Sequence, residues 1–313
     1  MVMIIEQRDK VISHTNANSS LQTGLSQPDI ALSDETPDRA YLGRDFSDPR
    51  SNWSTEYVAH CKAMLGPAVA RKLSIYPLPG EFLLTVIVPV FNEVKTLETI
   101  VDRLRATGLP MQIILVDDGS LDGTSQKMTG LSQLPGVEVI THPVNRGKGA
   151  AIRTAIPAAK GDVIVIQDAD QEYDPDDFRW LLQPILEGNA DVVYGTRYGQ
   201  ADRQVSPWWH QAANGFITSL ASVVFGLRLR DVETCYKMAR RESFLKILPE
   251  LKENRFGIEI ELTARWAKAG LRFAERPIRY HHRWYGEGKK ITWRDGIAAL
   301  GCILKFGLLP RQR

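Results

Sequence analysis

The chain has 313 residues, 43% hydrophobic and 24% charged, enough to bury the core of one large domain or of one domain with an appendage. Lys and Arg number 39 against 37 Asp and Glu, a formal charge of +2 that argues against a whole-molecule nucleic-acid binder. Cys61, Cys235 and Cys302 form no CxxC pair, so neither a disulfide framework nor a zinc site is suggested and a reducing cytosol fits best.

The first ten residues carry acidic and polar side chains, with no uninterrupted apolar core of signal-peptide length. No stretch reaches the roughly 18 apolar residues that a membrane-spanning helix needs. The expected location is cytoplasmic, in solution or peripherally on the cytoplasmic face of a membrane. Charge is uneven along the chain: Met1 to Glu56 holds five basic and nine acidic residues, Leu271 to Arg313 ten basic and three acidic.

Residues 10–50 are rich in Ser, Asn, Asp, Thr and Pro without an apolar period, and most of them are expected to be disordered. From Trp53 to Leu73, the positions of Tyr57, Val58, Cys61, Met64, Leu65, Val69 and Leu73 suit a short amphipathic helix. Pro77, Pro79 and Gly80 then make a boundary between an N-terminal extension, 1–80, and a main domain, 81–313.

Beyond it, strand-like runs alternate with helical segments. Strands are expected at Leu83 to Val90, Gln112 to Val116, Val137 to Thr141, Asp162 to Gln167 and Asp191 to Tyr194. Helices are expected at Val94 to Arg105, Thr124 to Leu131, Ala150 to Ala159 and Pro175 to Leu186. Apolar strands separated by crossover helices predict an α/β fold: a Rossmann-like, mostly parallel sheet with helices on both faces. Ligands of such sheets bind beyond the carboxyl ends of the strands.

Polar residues fall at those ends. The first strand leads into Pro89, Asn92 and Glu93, and the second into Asp117, Asp118, Gly119 and Ser120. The third leads to Asn145, Arg146, Gly147, Lys148 and Gly149, and the fifth to Arg197. The fourth runs into Asp168, Asp170 and Glu172; in an extended segment these alternate residues would share one face, and gathered carboxylates suit Mg²⁺ or Mn²⁺. Any one of these clusters is also ordinary turn chemistry. Neither GxxxxGK[ST] nor GxGxxG occurs, so a P-loop or dinucleotide site has little support.

Four segments, TVIVPVFNE (Thr85 to Glu93), VDDGSLDGT (Val116 to Thr124), NRGKGAAIR (Asn145 to Arg153) and QDADQEYDP (Gln167 to Pro175), together resemble the signatures of family 2 glycosyltransferases of GT-A fold. GTRY (Gly195 to Tyr198), DVETCYK (Asp231 to Lys237) and EGKKITWRDG (Glu287 to Gly296) narrow the resemblance to the branch of dolichol-phosphate mannose synthase and bacterial polyprenyl-phosphate sugar transferases. It covers about Leu83 to Phe306.

The resemblance implies a nucleotide-sugar donor and a polyprenyl-phosphate acceptor. Pro89, Asn92 and Glu93 would shape the nucleotide pocket, and Asp118, beside Asp117, would accept from the N–H of the base. Lys148 and the helix start would face phosphate. Asp168, Asp170 and Glu172 would hold Mg²⁺ or Mn²⁺ on the diphosphate, with Glu172 either a ligand or one step behind. Arg197 and Arg283 would clamp the lipid phosphate through planar guanidinium forks. Asp231 would lie on the acceptor side, as a base were the acceptor a hydroxyl. A further family arginine has no match where His210 and Asn214 stand, and Glu259 and Glu261 lie in either a strand or a helix start. The implied reaction is an inverting displacement on a hexose, and a phosphate acceptor, largely dianionic at neutral pH, needs no base. From Trp293 to Leu309 an amphipathic pattern with basic flanks suits either a bilayer interface or docking on the domain.

Overall fold

The computed structural model describes residues 54–198, 208–282 and 293–307, all within the unit that runs from Asp45 onward. Arg283, residues 1–53 and the stretch from Glu287 to Thr292 therefore lie outside the described residues.

In chain order the strands are β1 (Leu84–Val90), β2 (Met111–Asp117), β3 (Val137–Thr141), β4 (Val163–Ile166), β5 (Val192–Thr196), β6 (Lys237–Arg240) and β7 (Phe273–Pro277). They form one sheet in the order β3-β2-β1-β4-β6-β5-β7. Val86, Ile87 and Val88 of β1 are all buried. Successive strand side chains point to opposite faces, so this run requires cover on both.

The helices are α1 (Thr55–Leu65), α2 (Pro67–Lys72), α3 (Leu97–Ala106), α4 (Thr124–Leu131), α5 (Lys148–Ala155), α6 (Phe178–Leu186), α7 (Trp208–Phe225), α8 (Arg241–Ile247), α9 (Ile258–Lys268) and α10 (Trp293–Gly307). The five expected strands and the helices between them are present: Thr124–Leu131 and Val137–Thr141 have the expected ends, and the others are shifted. The Ala150 to Ala159 helix begins earlier, at Lys148, and finishes as a 3₁₀ turn from Ile156 to Ala158.

The neighbours of β1 pair parallel to it, and β2 with β3 likewise. β6 then enters between β4 and β5, antiparallel to both, while β7 is parallel to β5. The carboxyl ends of β1 to β5 and β7 thus share an edge with the amino end of β6. That register brings the loop from Asp231 to Tyr236 and the residues after Pro277 to the edge where Asp117, Asp168 and Arg197 stand.

Two expectations change. The Trp53 to Leu73 segment is two helices broken at Gly66, whose φ of +78° suits the absence of a Cβ, with Pro67 opening the second. Its apolar face is only partly covered: Val58 and Ala70 are buried, but Met64 (69%) and Leu73 (56%) are exposed. Attachment is largely polar, through the Arg71–Glu187 ion pair, Ser74 Oγ donating to Gln183 Oε1 and Tyr76 Oη donating to the Arg179 carbonyl. The C-terminal helix docks on the domain. Ala299, Cys302, Ile303 and Phe306 of α10 join Ile217, Ala221 and Phe225 of α7 and Ile260 and Ala264 of α9 in a second core.

The start of α5 is fixed from outside. A Cβ on Gly149 would overlap the Glu253 carbonyl, and one on Gly147 the Asn254 carbonyl. Ala150 N donates to that same Asn254 oxygen at 3.0 Å, locking the turn against the 253–255 strip. Gly149→Ala is expected to cost about 1–3 kcal/mol, as overpacking of a rigid contact does. Urea denaturation checks this, and an unchanged midpoint would contradict it.

Candidate active site

At the end of β1, Asn92 takes φ +51° so that its backbone N–H reaches Ser120 Oγ (2.9 Å) and its Oδ1 accepts from Leu121 N (2.8 Å). Asn92 thereby ties the first strand's loop to the second's. Glu93 is buried; its N–H donates to Thr124 Oγ1 and its carboxylate accepts from Thr96 Oγ1 at 2.8 Å. Pro89 lies inside β1, in register with Val116.

Asp117 and Asp118 are both buried and both employed by the loops. Asp117 accepts from Ser120 N and Ser125 Oγ. Asp118 accepts from Arg146 N (2.9 Å) and Gly147 N (2.6 Å), and its Oδ1 stands 2.7 Å from His142 Nδ1. The resemblance implies Asp118 as a reader of the nucleotide base; in the structure its carboxylate holds the Asn145 to Gly149 turn against β2. His142, whose Nε2 meets Thr154 Oγ1 at 3.0 Å, is the partner that no motif indicated.

The Lys148 side chain, 10% exposed, is held among carboxylates, with Nζ 2.7 Å from Asp168 Oδ1 and 2.8 Å from Glu259 Oε1. Glu259 is shared with the buried Lys237 at 2.6 Å, and Lys237 Nζ also donates to the carbonyls of Val232 and Thr234. Two ammonium groups and two carboxylates therefore close a neutral cluster under the edge of the sheet. Glu259 and Glu261 lie in the first turn of α9, which settles their secondary structure; Glu261 accepts from Lys252 N and Glu253 N and pairs with Arg265.

The acidic run after β4 is not the extended segment that the alternation implied. The strand ends at Ile166, the next residues turn, and Gln171 adopts φ +64°. The turn over 169–172 ends the extended run, so the three carboxylates do not simply alternate on one strand face. Glu172 is directed to Tyr280, whose Oη donates to its Oε2 at 2.7 Å, and Asp168 to Lys148. Among the described residues no three His, Cys, Asp or Glu side chains form a preassembled metal-ligand set, so the expected triad of Asp168, Asp170 and Glu172 is not gathered as one.

Asp170 is the group left under strain. Burial first, then the neighbouring Asp168, Glu172 and Glu93 carboxylates, push its carboxyl up to about 8, despite the hydrogen bond from Glu172 N. A hard cation would relieve that surplus of negative charge, and oxygen donors are those such ions take. Asp168 and Asp170 are the carboxylates that would hold Mg²⁺ or Mn²⁺, with Glu172 beside them.

Across the edge, Arg197 grips Asp231. Nε donates to Oδ2 and Nη2 to Oδ1, both at 2.7 Å, and the Arg197 backbone N–H adds a third bond. The Asp231 side chain is fully buried and that of Arg197 is 19% exposed. Asn214 Nδ2 reaches Asp231 Oδ1 at 3.3 Å and Tyr198 Oη at 2.9 Å, so the position lacking the family arginine supports the pair instead. The guanidinium lies 5.4 Å from the centroid of the Tyr280 ring. Tyr280 therefore touches both halves of the site, through Glu172 on one side and Arg197 on the other. It sits in the aromatic and basic stretch RYHHRWYG, where sequence reasoning singled out only Arg283. Glu233, also overlooked, is pushed upward chiefly by burial, with Arg197 opposing and Asp231 reinforcing.

Residues 85–248 match the family model described as glycosyl transferase family 2. The chain belongs to that family. It is a glycosyltransferase, and its mixed sheet with covering helices is the GT-A fold. It is 28% identical to undecaprenyl-phosphate mannosyltransferase of Micrococcus luteus over 231 residues, 72% of this chain and 94% of that protein. It is 26% identical to dolichyl-phosphate beta-glucosyltransferase of Trichomonas vaginalis over 248 residues, 74% of this chain and 75% of that one. Among solved structures, glucosyl-3-phosphoglycerate synthase from Mycobacterium tuberculosis, in complex with Mn²⁺, uridine diphosphate and phosphoglyceric acid, superimposes with a TM-score of 0.57 at 20% identity. The match covers 82% of this chain and 84% of that one.

Asp231→Ala removes the buried counter-ion of a largely covered guanidinium and is expected to destabilise the glycosyltransferase by about 3–5 kcal/mol. Urea unfolding measures this; a loss below about 1 kcal/mol would show that Arg197 finds solvent or another partner.

Proposed function

We propose that this glycosyltransferase moves a hexose, with inversion, from a nucleoside diphosphate sugar to a polyprenyl phosphate, using Mg²⁺ or Mn²⁺. The observation that carries the reading is the Arg197–Asp231 fork beside Tyr280, in a chain whose relatives include enzymes named for undecaprenyl and dolichyl phosphate. Asp231 orients the guanidinium through Nε and Nη2, so that Nη1 lies outside the pair. Charge-assisted donors fixed in this way suit a phosphate oxygen, and a rigid arginine loses little in binding it. Arg283, in the undescribed segment just beyond His282, is the expected second arginine.

An attacking phosphate is already anionic, so the cleft has to position it rather than deprotonate it. The residues fit that requirement. With both oxygens engaged by Arg197, Asp231 is poorly disposed to act as a base. On the donor side, the bonds of Asn92 to Ser120 and Leu121 and of Asp118 to Arg146 and Gly147 shape the loops that would enclose the nucleotide. Asp168 and Asp170 would hold the divalent ion, with Glu172 supporting through Tyr280. When bound, that ion supplies positive charge to the departing diphosphate.

Approach to a lipid acceptor would use the exposed apolar side chains of α7 and α10, Phe216, Val223, Ile297 and Leu304. No helix among the described residues is long and apolar enough to cross a membrane. A peripheral position on the cytoplasmic membrane face follows from this reading.

A second reading, transfer to a hydroxyl, is favoured by Glu233. Its carboxyl, raised by burial against the opposing charge of Arg197, is the candidate to take a proton in that case.

The two readings separate in one assay. Incubation with radiolabelled GDP-mannose or UDP-glucose, polyprenyl phosphate and Mn²⁺ is expected to move label into the organic phase, and Asp170→Ala to abolish this while leaving circular dichroism unchanged. Label that stays in water-soluble product, with loss of activity on Glu233→Gln, would replace the lipid acceptor by a hydroxyl one.

A further inference from the structure

The neutral cluster beneath the acidic run has a consequence for when a cation can enter. Asp168, one of the two carboxylates assigned above to the divalent ion, already has a cation: Lys148 Nζ lies 2.7 Å away, on a side chain that is 10% exposed. That lysine is not a loose surface group that drifts aside. It is held at 2.8 Å by Glu259, which Lys237 in turn holds at 2.6 Å, and its backbone starts a helix whose entry is wedged against the Glu253 and Asn254 carbonyls. With Lys148 in place the four charges balance, whereas Asp170 beside them has no cation among its described contacts.

We infer that Lys148 is a resident counter-ion which occupies Asp168 in the donor-free enzyme, so that a divalent cation binds well only together with a diphosphate able to take over the ammonium. A second cation entering alone would meet Lys148 next to the carboxylate it must share, in a site where charges are weakly screened. A diphosphate arriving with the cation changes the balance. Its oxygens offer the ammonium a new partner, and the repulsion becomes a three-way attraction. Lys148 is thus a positioning residue that couples metal to donor, and the coupling disfavours metal held without substrate. This rests on Asp168 and Asp170 being the metal ligands.

The test titrates Mn²⁺ into the full-length protein, following the electron paramagnetic resonance signal of free Mn²⁺, first alone and then with saturating GDP or UDP. For the wild type, Mn²⁺ affinity is expected to rise at least about fivefold when the accepted diphosphate is present, the low end of ordinary coupling between two sites. Lys148→Met should tighten Mn²⁺ binding to the nucleotide-free protein by a similar factor and shrink the gain from nucleotide. Lys148→Gln, which keeps a hydrogen-bond donor without the charge, should do the same, and Lys148→Arg should stay close to wild type. A merely structural lysine would not give tighter metal binding on removal.

Unchanged Mn²⁺ affinity in the folded Met or Gln variant, or a wild type that binds Mn²⁺ equally with and without nucleotide, would overturn the inference while leaving the metal assignment intact. Absence of Mn²⁺ binding with either nucleotide would remove the metal assignment, and the inference with it.

Discussion

Carboxylates crowded at the end of a buried strand repel one another, and much of the site is arranged around that repulsion. Asp168, Asp170 and Glu172 follow β4, and Glu93 lies close enough to add to the field on Asp170. The fold disperses the charge in three directions. Lys148 neutralises Asp168, Tyr280 donates to Glu172, and a backbone turn with Gln171 in the left-handed region separates the side chains. Among the described residues Asp170 receives only a backbone N–H, and its carboxyl retains the proton well above the usual range. A protein that needed stability alone would have little reason to keep such a group there. A site that must accept a cation and release it each turnover does.

The sheet explains how distant segments reach this point. Because β6 runs antiparallel between β4 and β5, the DVETCYK loop is delivered to the carboxyl edge, where Asp231 meets Arg197 from the end of β5. The parallel pairing of β5 with β7 then places Tyr280 between the acidic run and the arginine. Gly195 permits this closeness, since a Cβ there would press on Ile278 and on the Cβ of Tyr236. The acidic run and the Arg197–Asp231 pair are consequently joined through one aromatic side chain.

Much of this was legible in the sequence. Strand and helix alternation from Leu83 to Tyr194 reads directly from apolar runs and their spacing, since period and burial follow from the same contacts. The motifs after each strand also located the edge on which the site lies. What could not be read were long-range electrostatic pairings. Lys148 sits in a glycine-rich basic turn that looks like a phosphate cradle, and only the packing of α9 reveals Glu259 beside it. Asp231 and Arg197 are separated by 34 positions and carry no shared period. The turn at Gln171 was missed because the alternation of Asp168, Asp170 and Glu172 suggests a strand, whereas backbone pairing to β1 ends at Ile166. At α1 and α2 the apolar spacing was real but Gly66 and Pro67 outweighed it.

The central claim is that Asp168 and Asp170 together receive a divalent ion facing the donor's diphosphate. The most direct measurement is anomalous scattering at the manganese edge from crystals grown with Mn²⁺ and the nucleoside diphosphate that the enzyme accepts. One peak is expected within coordination distance of carboxylate oxygens of both Asp168 and Asp170 and of the diphosphate, with Lys148 turned from Asp168 toward phosphate. A bound diphosphate with no such peak, or manganese located away from these two residues, would contradict the account.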